Sequence, residues 1–519
     1  MKKEISLLGL LMMGMGTAFG QYAGDAFRYN EIQQTGTARF RGVGGNHAAL
    51  GGDASTTFGN PAGIGFFNRS EISVSPTLSL FQTESTFIGQ RTSATKTNPN
   101  IGHFGLVIAG NAQNEARRWR RASFGITYAR LVNLNNSLSF EGRNNRSSFV
   151  DQYILDANDR RITGAQLDRL YNPDLREAQD PTAAAYQLYL INGSDLPNDP
   201  NNSGAPYTRY DSDRPTTQRL RYNSSGGQNQ WSFTYGGNYD DKLYLGVTLG
   251  ITRLRFDYDV DYSENIIGGS VFRRVGREEG LTVTGNGINL AVGTIWKATD
   301  FIQLGASVTT PTFSTVRETF SESLNTDAIG IPTLDQNGRP TFFIPDNQNI
   351  TVTPNNFEYN LTSPLRAMAG ATYFLGAKKV GFITATAEYV GYSGMRVSSS
   401  QADAGFRDDI RSEIQSTYQN VVNFRAGAEV RTGLLRLRGG VSYLPDPYKQ
   451  AFQDLDRTKL LISGGLGVRN DRFFADASAT YNTFKSGYTP YSLPNPSDYA
   501  SAEIDNRLVN VTLTVGAFF

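Results

Sequence analysis

The sequence predicts an all-β protein: a transmembrane antiparallel β-barrel of about fourteen strands, with an N-terminal hatch plugging its lumen. Three observations carry this reading. The first is the stretch from Leu508 to Phe519 (LVNVTLTVGAFF), which places Val509, Val511, Leu513, Val515, Ala517 and Phe519 on one face of an extended strand and Asn510, Thr512 and Thr514 on the other. About ten residues alternating in this way, apolar side outward, are what a tilted strand needs to cross a bilayer. The second is repetition of the pattern. Alternating segments recur near 70–84, 101–111, 122–134, 230–239, 242–257, 281–297, 301–319, 351–374, 380–397, 418–431, 434–445, 457–469, 472–485 and 506–519. The third is the spacing between them. Tight connections such as Asp240-Asp241, Ala298 to Asp300, Gly376 to Lys379, Thr432-Gly433 and Asn470-Asp471 alternate with long polar ones at 258–280, 320–350, 398–417 and 486–505. Short turns at one end and long loops at the other are the pattern of outer-membrane barrels.

The N-terminus supports export. MKKEISLLGLLMMGMGTAFGQ has a basic start at Lys2 and Lys3, an apolar run from Ile5 to Met15, and small residues flanking Phe19. This predicts a signal peptide over 1–20, cut before Gln21; the run is too short for a spanning helix. No cysteine occurs, which excludes a lipidated cysteine, disulfides and thiolate metal sites. No run of eighteen apolar residues follows. The 39% apolar fraction nevertheless suits a barrel, where only alternate strand residues meet lipid. A net charge of +1 argues against nucleic acid as a partner.

Residues 21–69 do not alternate. Nine glycines from Gly36 to Gly65 and few large apolar residues suit a compact, irregular plug. A dinucleotide-binding loop would need G-x-G-x-x-G, and His47 stands where the third glycine belongs. The barrel then occupies 70–519. It carries a long external loop at about 135–229, in which Pro181 to Ile191 predicts a short helix. Loops of that length are functional or mobile more often than simple connectors.

Within strands, alternation assigns faces. Leu243, Leu245, Val247, Leu249 and Ile251 point to lipid, while Tyr244, Gly246, Thr248, Gly250 and Thr252 point inward. A charge on the lipid face costs about 2–4 kcal/mol for Arg or Lys at midplane. Glu388, Arg425, Glu429, Arg436, Arg438 and Asp476 therefore belong to a lumen charge network, where opposite signs can pair. Facing alone also selects Phe66, Phe67, Tyr244 and Phe474 as aromatic candidates for contact with an apolar ligand.

Other constellations have plainer readings. His47 and His103 are the only histidines. A barrel hydrolase would need a base beside a serine, with Ser123 as a candidate neighbour of His103, but a polar residue near the rim accounts for His103 better. No enzyme is expected. Asp257, Asp259 and Asp261 share a strand face and offer calcium-like oxygen ligands, yet read first as a solvated strand end. No metal and no cofactor are expected. Arg117-Arg118-Trp119-Arg120-Arg121 falls on the short-turn side, where Trp and Arg are ordinary interfacial anchors and a docking patch is the alternative. The aromatic terminus at Phe519 is the expected contact with the barrel-assembly machinery.

Ala48-Ala49-Leu50-Gly51-Gly52-Asp53 followed by Asn60-Pro61-Ala62-Gly63-Ile64 resembles the hatch of the FadL/TodX family of outer-membrane hydrophobic-compound transporters. Ser363-Pro364-Leu365-Arg366 with Gly370 and Tyr373, Glu388 to Ser393, Arg425 to Glu429 and Arg438 to Tyr443 are similar to strand motifs of the same family. The resemblance runs from about Gly36 to Phe519. It implies a fourteen-stranded barrel with a lumenal hatch, passive inward movement of fatty acids or aromatic hydrocarbons, a lumen pocket and a sideways exit through the wall as the hatch shifts. Asn60, Pro61, Ala62 and Gly63 would then gate the hatch, a role compatible with a simple turn before the first strand. The large insertion at 135–229 departs from the pattern. The expected partners are a hydrophobic small molecule and outer-membrane lipid. The competing expectation is a FadL-like interaction or secretion-accessory barrel that does not transport.

Overall fold

The computed structural model describes residues 22–110, 118–193, 204–345, 348–450 and 455–519. The expected signal peptide and Arg117 lie outside the described residues. Fourteen staves form one closed antiparallel barrel. They are β1 (Glu71–Phe87), β2 (Gln90–Ala109), β3 (Trp119–Asn133), β4 (Thr216–Tyr239), β5 (Leu243–Ile266), β6 (Phe272–Lys297), β7 (Ile302–Thr309 and Phe313–Ala328), β8 (Asn349–Thr362 and Arg366–Leu375), β9 (Gly381–Val390, resumed at Arg396–Ser398), β10 (Val421–Thr432), β11 (Leu435–Leu444), β12 (Lys459–Arg469), β13 (Phe473–Tyr488) and β14 (Ala502–Phe518). Each stave pairs with the next, and β14 closes on β1 from Glu71↔Phe518 to Thr86↔Glu503. Closure joins the first stave to the last and so removes a terminal sheet edge, the condition for strands in lipid.

The outward face carries the apolar belt the alternation predicts. On β5, Leu245, Val247, Leu249 and Ile251 are exposed, and the next outward residues are Arg253 and Arg255. Ile288, Leu290 and Val292 continue the belt on β6, and Val511, Leu513 and Val515 on β14. A ring of apolar side chains this continuous is far larger than soluble monomers expose, and it suits lipid. The inward partners Tyr244, Thr248 and Thr252 are buried.

Several staves run far beyond the belt. β5 has 24 residues, roughly 80 Å of chain at about 3.3 Å per residue, whereas the apolar band of such barrels is about 25 Å tall. The segments read as long loops at 258–280 and 320–350 are therefore largely strand; β5 and β6 are joined by residues 267–271 alone. Likewise β1 and β2 meet in a tight turn at Ile88-Gly89. Polar alternation above the membrane looks like loop composition because water replaces lipid on the outer face.

The insertion at 135–229 is likewise ordered where described. It contributes a strand at Asn136–Asn144 on β4 and helices at Val150–Arg160, Gly164–Arg169 and Pro181–Gln187, the last in the expected segment. These helices pack with Phe87, Tyr262, Tyr491 and Ile504 into a core over the outer end. β4 itself begins fourteen residues earlier than the alternation alone indicates.

His103 is a correction. It lies wholly buried on the inner wall, edge-on to Phe58 of the N-terminal segment at 6.1 Å, and not at the rim. Ser123 pairs with Ala109, six residues further along β2. Asp257 and Asp261 lie above the belt and meet Arg255 and Arg274. Arg118, Arg120 and Arg121 reach Tyr239, Asp240 and Asp241 at the short-turn end.

Candidate functional site

Residues 22–69 fill the lumen as a chain of short, capped turns. Thr37 accepts from the Phe40 amide at the start of the helix Ala38–Gly42, Asp53 accepts from Ser55 to start a 3-10 turn at Ala54–Phe58, and Asn60 accepts from Ala62 to start another at Pro61–Phe66. Polar caps satisfy amides that would otherwise be orphaned out of reach of water. Pro61 occupies the first helical position, where its missing N–H costs nothing.

Asn60 also ties this segment to the wall. Its Nδ2 lies 2.6 Å from Ala48 O, 2.9 Å from Thr294 O on β6 and 3.2 Å from Ala306 O on β7, while its Oδ1 accepts from the Ala62 amide at 3.1 Å. The side chain thus joins two parts of the hatch to two staves. The contact is close because the wall carries glycine there. A Cβ on Gly293 would sit 2.0 Å from Asn60 Oδ1, one on Gly305 1.9 Å from Ala48 O, and one on Gly246 2.3 Å from the Pro61 carbonyl carbon. Ala62 and Gly63 are buried behind them. A second set, Gly427 and Gly440, receives Val43 and Gly44.

The hatch interior is electrostatically tense. Asp53 accepts from Thr37 and Ser55 hydroxyls and lies 3.9 Å from Arg39. Burial opposes its ionisation, but Arg39 and the Ser55 hydrogen bonds prevail and hold its carboxyl below the ordinary value. His47 stacks on Phe40 at 4.4 Å, and burial followed by the nearby Arg425 pushes its imidazole down to about 3.

The lumen charges form two groups. Glu388 is held by Arg366 and Arg425 at 2.5 and 2.6 Å. Glu429 is held by Arg431 and Arg438, each at 2.7 Å, and Arg438 also reaches Asp476 at 2.5 Å. Arg39 links the hatch to Glu429 at 3.8 Å. Arg436 has no carboxylate within ion-pair distance among the described residues and donates to the Gly433 carbonyl at 3.2 Å. Arg431 lies on the inward face that alternation gives Arg425 and Glu429, while Arg366 and Arg39 are members that inward facing alone did not single out.

The four candidate aromatics do not form one pocket. Phe66 stacks on Tyr244 at 3.8 Å with the Lys297 ammonium over both rings, at the short-turn end. Phe67 packs with Ile64 and Val107. Phe474 lies against Phe518, with Arg469 over its ring. Facing tells inside from outside but not height along the barrel.

The lumen cavity sits elsewhere, with a volume of about 360 Å³, between residues 24–34 of the hatch and the wall of β1 and β12–β14. Phe27, Phe81, Phe256 and Phe484 line it together with Asn100, Asn133, Asn506 and Asn510, and Phe484 stands opposite Asn506 in register. Four cations border it. Arg28 pairs with Asp25 and Lys459 with Glu31. Arg41 and Arg130 have no carboxylate within ion-pair distance among the described residues. Burial lowers Arg41 to about 10.

The wall beside this cavity is discontinuous. β2 pairs with β3 only over His103–Ala109, so Gln90–Gly102 has β1 as its sole ladder partner. β3 carries register shifts at Trp119/Arg121 and Arg130/Val132, and its outer end follows β4. Across this seam side chains make the bonds: Arg130 Nη1 donates to Asn98 Oδ1 at 3.0 Å and Lys96 Nζ to the Ser224 carbonyl at 2.8 Å, while Thr83 Oγ1 of β1 donates to the Ser137 carbonyl at 2.9 Å. Asn100 from one edge and Arg130 and Asn133 from the other line the cavity. Leu78 and Leu80 are exposed on the neighbouring stave opposite Pro99 and Thr97, so the seam meets the outer part of the apolar belt.

No family model matches the sequence, and no curated protein matches it. Among solved structures, the chain is similar to a FadL homologue of Pseudomonas aeruginosa, with a TM-score of 0.54 and 12% identity over 94% of this chain and 99% of that one. It is similar also to the toluene transporter TodX of P. putida, with a TM-score of 0.51 and 11% identity over 94% and 99%. At such identities the match establishes the fold: a closed fourteen-stranded barrel of the FadL/TodX type.

Proposed function

From the premise that this chain carries the FadL/TodX barrel fold, we propose that it conducts hydrophobic small molecules across the bacterial outer membrane. The observation that carries the reading is the cavity opening against an unladdered seam. A solute bound inside faces a wall held by a few side-chain hydrogen bonds, at about 0.5–1.5 kcal/mol net each, where elsewhere a continuous backbone ladder stands. The likeness to a toluene transporter and a FadL homologue supports an apolar cargo.

The cavity lining supports an amphiphile of the fatty-acid kind as the cargo. Phe27, Phe81, Phe256 and Phe484 take an apolar chain, while Arg41 and Arg130 face its polar or anionic end. Its volume is near the lower end of the roughly 300–1,000 Å³ usual for ligand pockets. Asn60 to Gly63 hold the hatch below, so movement of the hatch would change the cavity floor.

The chain has no cysteine, which permits a direct test. Lys96→Cys with Asn223→Cys, whose parent side chains meet at 3.0 Å across the seam, bridged by a short bis-maleimide, should abolish uptake of labelled long-chain fatty acid by cells that depend on this protein. Either single variant treated alike should retain it. Uptake undiminished by the bridge, or by deletion of the gene, would sink the proposal.

One observation favours the non-transporting reading. The external hairpin Ile331–Leu334 with Pro340–Phe343 leaves Leu334 and Phe342 65% and 71% exposed. Recovery of a stoichiometric protein partner together with unchanged solute uptake on deletion would favour docking.

A further inference from the structure

A second, smaller cavity of about 150 Å³ lies at the short-turn end, against β10–β13, lined by Arg39, Arg431, Arg436, Arg438, Arg469, Glu429 and Asp476. Five guanidiniums face two carboxylates, an excess of three positive charges. Adding the next carboxylates, Asp53 against Arg39 and Glu71 in register with the Phe518 ring that Arg469 covers, still leaves the cluster cationic. Both lining carboxylates are already engaged. Glu429 holds Arg431 and Arg438, and Asp476 holds Arg438.

The register makes the surplus specific. Glu429 stands opposite Arg438, a favourable cross-strand pair, but the next inward pair is Arg431 opposite Arg436. Like charges directly opposed in a sheet are destabilising unless something lies between them. Both follow or precede the tight turn at Gly433, so the gap between them faces the mouth of the barrel. Gly467 keeps the floor clear: a Cβ there would lie 1.9 Å from Asp476 Oδ1 and 2.8 Å from Arg438 Nη1.

We propose that this cavity is an oxyanion site open to the periplasm, with Arg436 and Arg431 as the fork that takes a carboxylate or phosphate group. Guanidinium pairs recognise planar or tetrahedral oxyanions through paired N–H donors, and a water-filled cavity of this size holds one such group. The site is on the other side of the hatch from the cavity of about 360 Å³ and does not depend on what the barrel transports.

The full-length protein purified in non-ionic detergent is titrated calorimetrically with inorganic phosphate and, separately, with butyrate. Saturable binding of either is expected, weakening as sodium chloride rises. Tighter phosphate binding would identify a phosphate-bearing ligand, and tighter butyrate binding a carboxylate. Arg436→Gln should weaken the preferred anion at least tenfold, and Arg436→Lys by less. Arg219→Gln, which only removes an ion pair with Glu141 at the outer end, should leave it unchanged. Absence of saturable binding to the wild type by both anions overturns the proposal even should Arg436→Gln fail to assemble, as does equal affinity in a folded Arg436→Gln.

Discussion

Replacing Asn60 should loosen the hatch by an amount the structure allows to be worked out. Its Oδ1 caps the turn at Pro61, and losing such a cap costs about 0.5–2 kcal/mol. Its amide has two hydrogens shared among Ala48, Thr294 and Ala306 carbonyls, so two bonds are at stake, together about 1–3 kcal/mol. Asn60→Ala should therefore raise the population of the displaced hatch by about 1.5–5 kcal/mol of bias, roughly 10- to 4,000-fold at about 1.4 kcal/mol per decade. Asn60→Asp separates the contributions. It keeps the capping oxygen but places a carboxylate among three carbonyl oxygens in a buried site, so it should be worse than alanine. The assay is maleimide labelling of a single cysteine at Ala62 in the cysteine-free chain, read as a rate against the denatured protein. An Asn60→Asp labelling rate equal to that of the parent would refute the claim that this amide holds hatch to wall.

Other expectations follow from the same geometry. Gly305→Ala would drive a methyl to 1.9 Å from the Ala48 carbonyl, so the hatch must shift; planar-bilayer recordings should show higher or noisier conductance, and a silent, parent-like trace would contradict the cradle. Arg130→Ala removes the guanidinium that bridges to Asn98 and Gly226 while leaving the backbone ladders intact; hydrogen exchange should rise in Gln90–Gly102 and little in β10–β12. Acid should also weaken hatch docking. His47 has a folded pKa of about 3 against about 6.5 unfolded, so the unfolded segment binds the extra proton and stability falls as pH drops from 6.5 toward 3. Asp53, depressed by Arg39 and Ser55, adds loss in the same direction below its unfolded value near 3.9. Labelling of the Ala62 cysteine, taken relative to the denatured protein at each pH because the thiolate is the reactive form, should rise across that range as pH falls, less so in His47→Phe, and a pH-independent ratio would contradict it.

The legible part of this chain was the part governed by period two. Leu245 to Ile251 point outward and Tyr244 to Thr252 inward because successive strand residues alternate whatever their neighbours. The tight turns and the count of fourteen followed from the same pattern. Stave length was misread at Tyr258 to Gly280 because polar residues on both faces look alike in a strand standing in water and in a loop. The aromatic candidates lie apart for a related reason: Phe66, Tyr244 and Phe474 face inward, but at a height that alternation does not encode.

Residue order alone therefore determined that this polypeptide makes a closed, lipid-facing cylinder with a polar interior, since the sign of each side chain's environment is a local property of a strand. Only the tertiary structure decided which inward groups meet. Asn60 finds Thr294 and Ala306, Arg39 finds Glu429, and β2 loses β3 above His103 because these contacts depend on register and shear summed around the whole ring. That sum is a non-local quantity, and it places both the cavity and the seam beside it.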